Sequence, residues 1–314
     1  MIKNKTINKS LYDFPKVKGK FKREFDLSKL NWFKVGGSAE VLFLPKDLED
    51  LQNLLSSLKR NIPVIVLGAG SNTLIRDGGL AGIVIKLGKP FSNIDFLNDN
   101  KIQVGAAFNC IKLSRLLAKN NLSGLEFFSG IPGTVGGSIA MNAGAFGHET
   151  SDFLDGIKVL DRKGKIKKIM KNELKMTYRY SSIPKDNIIY EAIFRCKAGE
   201  KNKILKKISV LQKRRNMSQP IKNSTGGSTF KNPKNRKAWE LIKLSGCEDM
   251  KVGGARLSKL HSNFIINSGN CSSSDIENLG ELIREKVKSN LGINLNWEIK
   301  IIGSKQKHIR YFNG

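Results

Sequence analysis

The sequence predicts an α+β protein. Three observations carry that reading: apolar strands and amphipathic helices alternate from about residue 34, the pattern resumes as a second unit after about residue 205, and two glycine-rich stretches at 68–73 and 129–147 follow apolar segments. The chain has 314 residues and 39% apolar composition, enough for about two domains with their own cores. No stretch reaches the roughly 20 apolar residues that a membrane helix needs. The N-terminal residues are basic but carry no apolar core of a secretory signal, so a cytoplasmic protein with no membrane partner is expected.

The elements follow in order. Residues 1–26 read as a loosely ordered arm containing Lys16, Lys18, Lys20, Lys22 and Arg23. Residues 41–44 read as a strand. Asp47 caps a helix over 48–59, whose Leu51, Leu54, Leu55 and Leu58 share one face. Pro63 opens a strand at 64–67, the loop Gly68-Ala69-Gly70-Ser71-Asn72 follows, and 82–85 is the next strand. This is a β-α-β beginning. A strand at 102–104 and a helix over 109–120 precede the small-residue stretch, and strands at 156–160, 165–170 and 188–196 follow it. A basic helix spans 203–215. Gln219-Pro220 and residues 223–227 then form a boundary loop. Beyond it, helices are expected at 239–244 and 274–290, and strands at 264–266 and 297–302.

Lys+Arg is 55 against 27 Asp+Glu, a net charge of +28. Such a surplus attracts nucleic acid or anionic lipid when it is clustered. Here it is dispersed, without interleaved aromatic residues, and reads as a solvated surface that draws in anionic nucleotides. No nucleic-acid partner is expected. Cys110, Cys196, Cys247 and Cys271 are far apart, and His148, His261 and His308 form no ligand cluster. Neither a metal site nor a disulfide framework is expected.

The loop at 68–73 can turn backbone N–H groups toward a phosphate. It is not the dinucleotide fingerprint, because Thr73 replaces the third glycine and no acidic residue ends the next strand near Ile85-Lys86. A plain structural turn explains it equally well. The stretch SGIPGTVGGSIAMNAGAFG, residues 129–147, is stronger, with six glycines and almost no charge. So bare a segment is costly to order, and a ligand lying on its backbone is the better explanation. Two such loops suggest a pyrophosphate and a flat ring, whether of FAD or NAD.

Six segments in order, GAGSNTLIRDGG, SGIPGTVGGSIAMNAGAFG, TYRYSS, GGSTFKNP, VGGARLSKLHSNFIIN and NWEIKIIG, resemble the UDP-N-acetylenolpyruvoylglucosamine reductases over roughly residues 30–303. The resemblance implies a two-lobed FAD-binding domain of the vanillyl-alcohol-oxidase type plus a C-terminal α+β substrate-binding domain. It divides the chain into 1–90 (arm and first lobe, with the tail 299–314 packing back on it), 91–204 (second lobe) and 205–298 (substrate-binding domain). The short segment 179–188 is similar to the branch lacking an extra Tyr-bearing loop. FAD would be bound non-covalently along Gly68, Ala69, Gly70, Ser71 and Asn72, and along Gly130, Ile131, Pro132, Gly133, Thr134, Gly136, Gly137 and Asn142. NADPH would be the co-substrate, using the same cleft as the substrate. The resemblance also implies a monomer.

The implied reaction converts UDP-N-acetylglucosamine-enolpyruvate into UDP-N-acetylmuramate, in peptidoglycan precursor synthesis. Hydride from flavin N5 adds to the enolpyruvyl methylene, and charge builds on the neighbouring carbon and its carboxylate. Arg179 is implied as the guanidinium that grips the carboxylate, Ser228 as the proton donor and Glu298 as the third catalytic residue, paired with Arg179 or itself protonated. Tyr178, Arg215, Lys231, Asn232 and His261 are implied for the diphosphate and sugar. Apart from the resemblance, these are ordinary positions: a strand-edge Arg, a turn Ser, an exposed strand Glu and a structural His. The chain departs from the family pattern at Glu248 and Ser218, where basic residues are usual, and at Trp32, where Thr is usual. Lys251 or Lys222 is expected to compensate. Two other readings exist: a flavin oxidoreductase of the same fold acting on a small alcohol or lactone, and a basic protein that binds nucleic acid.

Overall fold

The computed structural model describes residues 14–306. The first sheet joins β1 (Lys20–Asp26), β2 (Ser38–Leu44), β3 (Val64–Val66) and β5 (Leu80–Ile85) in the order β1-β2-β5-β3. β1 is antiparallel to β2, and β2-β5-β3 run parallel, as a β-α-β path requires. Helix α1 (Leu48–Ser57) lays Leu51, Leu54 and Leu55 against Val41, Phe43 and Ile83, and Asp47 caps it by accepting from the Asp50 amide at 2.8 Å.

The loose arm expected over 1–26 is corrected from Phe14 onward; residues 1–13 and His308 lie outside the described residues. Phe14 stacks on Phe21 at 4.1 Å, and Phe21 packs at 4.7 Å from Phe43. The Lys18 amide donates to the fully buried Asp50 carboxylate. Phe21 and Phe25 pack into two separate parts of the core, and the charged residues around them hid the strand.

The second sheet holds β6 (Ile94–Phe96), β7 (Lys101–Gly105), β8 (Leu154–Leu160), β9 (Ile166–Met170) and β12 (Ile188–Arg195), all antiparallel, in the order β9-β8-β12-β7-β6. Helices α2 (Cys110–Lys119) and α3 (Val135–Ala140) cover it with Leu113, Leu117, Val135 and Ile139. α3 arises inside the glycine-rich stretch. A short hairpin of β10 (Met176–Thr177) and β11 (Tyr180–Ser181) projects from this lobe. Helix α4 (Lys201–Ser218) packs Ile204 and Ile208 on Ala118 of α2. The boundary expected at 204/205 therefore falls inside a helix that belongs, by its packing, to the second lobe.

The third sheet has the order β13-β16-β15-β14, from β13 (Ser224–Thr225), β14 (Lys251–Val252), β15 (Ala255–Ser258) and β16 (His261–Asn267). Helices α5 (Ala238–Leu244) and α6 (Ser273–Leu291) bury Leu241, Ile242, Ile276, Leu279 and Ile283 against Ile265. Phe33, Val35 and Leu74 of the first lobe belong to the same core. The strand expected over 297–302 forms only as β17 (Lys300–Ile302), which pairs in parallel with β4 (Thr73–Ile75). Trp297 turns inward instead. Its Nε1 donates to Glu281 at 2.7 Å, and its ring fills the space where Gly280 would carry a side chain.

Two polar ties lock the third unit to the first. Arg76 makes a bidentate pair with Glu277, both distances 2.8 Å. Asp77 accepts from the backbone amides of Ser273 and Ser274 at 2.9 Å and from the Ser274 hydroxyl at 2.6 Å, at the start of α6. Asp77→Ala should cost about 1–2 kcal/mol of stability, as loss of a helix cap does. Urea unfolding at neutral pH measures it, and an unchanged midpoint would contradict the assignment.

Candidate active site

Arg179 sits at the tip of the β10–β11 hairpin, where Tyr178-Arg179 form a two-residue turn between the paired Thr177 and Tyr180. Its φ of +54° lies in the left-handed region, uncommon for a side chain of this size. Asn142 sets the approach of the hairpin. It is fully buried, donates from Nδ2 to the Thr177 carbonyl at 3.0 Å and to Glu149 at 2.8 Å, and accepts from the Ser151 amide at 2.9 Å.

The guanidinium of Arg179 donates from Nε to Glu298 Oε1 at 2.5 Å and from Nη2 to the Gly144 carbonyl at 3.1 Å. Glu298 comes from the segment before β17. Its amide donates to the Thr229 carbonyl at 2.9 Å, and Asn72 of the first glycine loop donates from Nδ2 to the Glu298 carbonyl at 3.1 Å. Asn263 braces the opposite segment: its carbonyl accepts from the Thr229 amide at 2.8 Å and its side chain exchanges two bonds with Phe230 at 2.8 and 2.9 Å. Ser228 thus stands one residue from a backbone contact to Glu298.

Burial pushes the Glu298 carboxyl above the usual carboxylate range, while Arg179 and Lys231 pull it back down. Burial also raises the Tyr178 phenol, with the Glu298 charge adding to it, and lowers Arg215 and His261. Lys231 donates from Nζ to the Arg179 carbonyl at 3.4 Å, and the Asn232 amide donates to the Tyr178 hydroxyl at 3.4 Å.

Three cavities that share lining residues lie in series along the two glycine loops and are treated together as one groove. The first, lined by Trp32, Arg179, Arg215, Ser228 and Glu298, shares Ser71, Asn72, Ile131 and Met141 with the second. The second, about 290 Å³, shares Gly68, Ala69, Thr134 and Gly137 with the third, about 430 Å³. The groove therefore runs along both glycine loops and ends at the Arg179–Glu298 pair. Gly70 is required by the packing of the loop itself: its φ is +67°, and a Cβ there would stand 2.3 Å from the Leu30 carbonyl oxygen. The length, the bare walls and the exposed backbone fit an extended dinucleotide carrying a flat ring.

Every expected cofactor residue except Asn142 lines this groove: Gly68, Ala69, Gly70, Ser71, Asn72, Gly130, Ile131, Pro132, Gly133, Thr134, Gly136 and Gly137. Asn142 lines none of it, since its side chain is engaged by the hairpin. Arg215 reaches the cleft, and its Nε donates to Gln219 at 3.0 Å. Lys231 bonds the Arg179 carbonyl, the Tyr178 ring lies 4.9 Å from the Arg179 guanidinium carbon and Asn232 reaches only Tyr178; none of the three lines the three cavities. His261 lies behind the cleft wall, its ring 4.7 Å from Phe264, and its Nδ1 accepts from the Asn263 amide. Trp32, Met141, Phe264 and the segment 219–221 also line the cleft and were not singled out for it. Only their fold position gives them a place there.

Fold and groove define the class: a flavin-binding protein with a separate C-terminal domain. Two family profiles match, an FAD binding domain over residues 39–170 and the C-terminal domain of UDP-N-acetylenolpyruvoylglucosamine reductase over 219–302. The chain is 46% identical over 289 residues to the UDP-N-acetylenolpyruvoylglucosamine reductase of Rickettsia akari, covering 92% of this chain and 98% of that one. It is 45% identical over 291 residues to that of Rickettsia bellii, covering 93% and 96%. The crystal structure of UDP-N-acetylenolpyruvylglucosamine reductase from Thermus caldophilus superposes with a TM-score of 0.78 at 31% identity, covering 91% and 99%. The chain belongs to the UDP-N-acetylenolpyruvoylglucosamine reductase family.

Asn142 bonds the hairpin that carries Arg179. Asn142→Ala should lower kcat by up to about 100-fold, the usual cost of misplacing a catalytic group by about an ångström. FAD content and bleaching by NADPH should persist. Loss of bound FAD from the variant would contradict a positioning role.

Proposed function

We propose that this protein reduces UDP-N-acetylglucosamine-enolpyruvate to UDP-N-acetylmuramate, with FAD as cofactor and NADPH as co-substrate, and that Arg179, Ser228 and Glu298 carry the chemistry. The observation that carries the reading is the groove itself: its glycine-rich walls end where these three side chains face one cleft. Relatives at 46% identity over nearly their whole length favour this reaction over oxidation of a small alcohol or lactone.

Bound FAD supplies the hydride, taken from NADPH and delivered to the methylene carbon of the enol ether. The protein's own groups do the rest. Arg179 uses Nε on Glu298 and Nη2 on Gly144, which leaves the Nη1 edge to meet the substrate carboxylate. A guanidinium there stabilises the charge that builds as the methylene accepts hydride. Glu298 fixes the guanidinium plane. Burial raises its proton affinity, and the charges of Arg179 and Lys231 oppose that rise and favour the ionised pair. Ser228 delivers its hydroxyl proton to the carbon bearing the carboxylate, and takes another from water afterwards.

Tyr178, Arg215, Lys231 and Asn232 are assigned to the nucleotide-sugar side of the cleft, with His261 supporting Phe264. The missing basic residues have a local explanation. Ser218 donates back to the Arg214 carbonyl, and Glu248 lies 3.9 Å from Lys243. Lys251 and Arg256 face a neighbouring groove that shares Pro220 with the cleft. Lys251→Ala should raise KM for the nucleotide sugar about tenfold, the worth of one charge-assisted hydrogen bond, with kcat little changed. An unchanged KM would rule out the compensation.

We assign the sequence to two FAD-binding lobes and a substrate-binding domain that begins after α4, in a monomer working in the cytoplasm on peptidoglycan precursors. Among the described residues no helix is long and apolar enough to cross a membrane, and no group of side chains could hold a metal ion. Ser228→Ala is the decisive variant. NADPH should still bleach the flavin at the wild-type rate, while turnover of the enolpyruvyl nucleotide should fall by at least about 100-fold. Wild-type turnover would remove Ser228 from the mechanism.

A further inference from the structure

Lys86 directly follows β5, the strand made of Leu80, Ala81, Gly82, Ile83, Val84 and Ile85. Its ammonium is carried into the wall of the groove, at the end far from Arg179, and donates from Nζ to the Gly68 carbonyl of the first glycine loop. That cavity is lined by Gly68, Ala69, Thr134, Gly136 and Gly137 from the two glycine-rich stretches, with Lys86 and Lys89 as its charged residues and no carboxylate. Lys86 forms no ion pair with any described residue: every acidic side chain in an ion pair of the structure faces another cation. Burial alone lowers its proton affinity, with no opposing acid. A half-buried ammonium whose side-chain partner is one carbonyl gains from an anion placed beside it.

We propose that Lys86 is a phosphate ligand of the protein, contacting the diphosphate of FAD where the dinucleotide passes between the two glycine loops. The inference rests on the FAD reading of the groove. It also sets the direction of the cofactor. The flat ring lies at the Arg179–Glu298 end, which leaves the nucleotide half beyond Gly68, beside Lys86 and Lys89. Backbone amides of the loops supply uncharged donors, and Lys86 adds a full positive charge beside the diphosphate.

The test compares wild type, Lys86→Met and Lys86→Arg after removal of FAD and reconstitution. Flavin fluorescence gives the FAD dissociation constant, and thermal melting of the flavin-free proteins gives intrinsic stability. Lys86→Met should weaken FAD binding about 10–100-fold, and Lys86→Arg should recover most of the loss. Flavin-free Lys86→Met should melt at or above the wild-type temperature, because a half-buried cation without a counter-charge has been replaced by an apolar chain of similar length. FAD affinity equal to wild type, or a fall in both affinity and flavin-free melting temperature, would overturn the proposal. Wild-type protein that fails to bind FAD would instead overturn the reading of the groove.

Discussion

Glu298 is buried beside Arg179, and each is tolerable there because of the other. The two side chains are only 10% and 17% exposed, and Nε lies 2.5 Å from Oε1. Removing one partner of such a pair typically costs about 3–5 kcal/mol, because the remaining charge is left without water or counter-ion. The pair therefore demands that four segments meet: the β10–β11 hairpin, the segment before β17, the first glycine loop through Asn72, and the Ser228–Phe230 segment braced by Asn263. Much of the remaining architecture serves that meeting. β17 returns to pair with β4, Trp297 anchors the segment before it over Gly280, and Arg76 and Asp77 hold the third unit against the first.

The same constraint shapes the chemistry. A guanidinium held by a buried carboxylate cannot swing toward solvent, so in the proposed reaction its unused edge would be aimed before substrate arrives. Pre-alignment of this kind is the main source of electrostatic stabilisation in enzymes, since no reorganisation is needed as charge develops. The left-handed backbone of Arg179 is part of the alignment. It is strain placed where the hairpin tip must present one side chain to the cleft, and Asn142 holds it from beneath.

Much of the fold was legible in the sequence, for definite reasons. Helix α1 announced itself through Asp47 and the spacing of its leucines, and β5 through its unbroken apolar run. The strand at Lys20–Asp26 was hidden because its outward positions are all charged, and α3 because glycine disguises a helix. The basic helix after residue 200 was legible as a helix, but its packing on Ala118 of α2 was not, because Ile204 and Ile208 are two apolar positions among many charged ones. The glycine loops were legible as a ligand surface, but not which ligand they hold. Arg179, Ser228 and Glu298 are 119 residues apart at the extremes, and only the order of the motifs tied them together. Lys86 left almost no signal, since a lysine just after a strand is ordinary until its bond to Gly68 is seen.

The most direct measurement is an anaerobic half-reaction on the FAD-loaded protein. NADPH is added until the flavin colour is bleached, the nicotinamide is removed, and UDP-N-acetylglucosamine-enolpyruvate is supplied alone. The colour should return within the turnover time, with one UDP-N-acetylmuramate formed per flavin. A flavin that stays bleached with the enolpyruvyl nucleotide, yet is recoloured by an unrelated acceptor, would contradict the assigned chemistry.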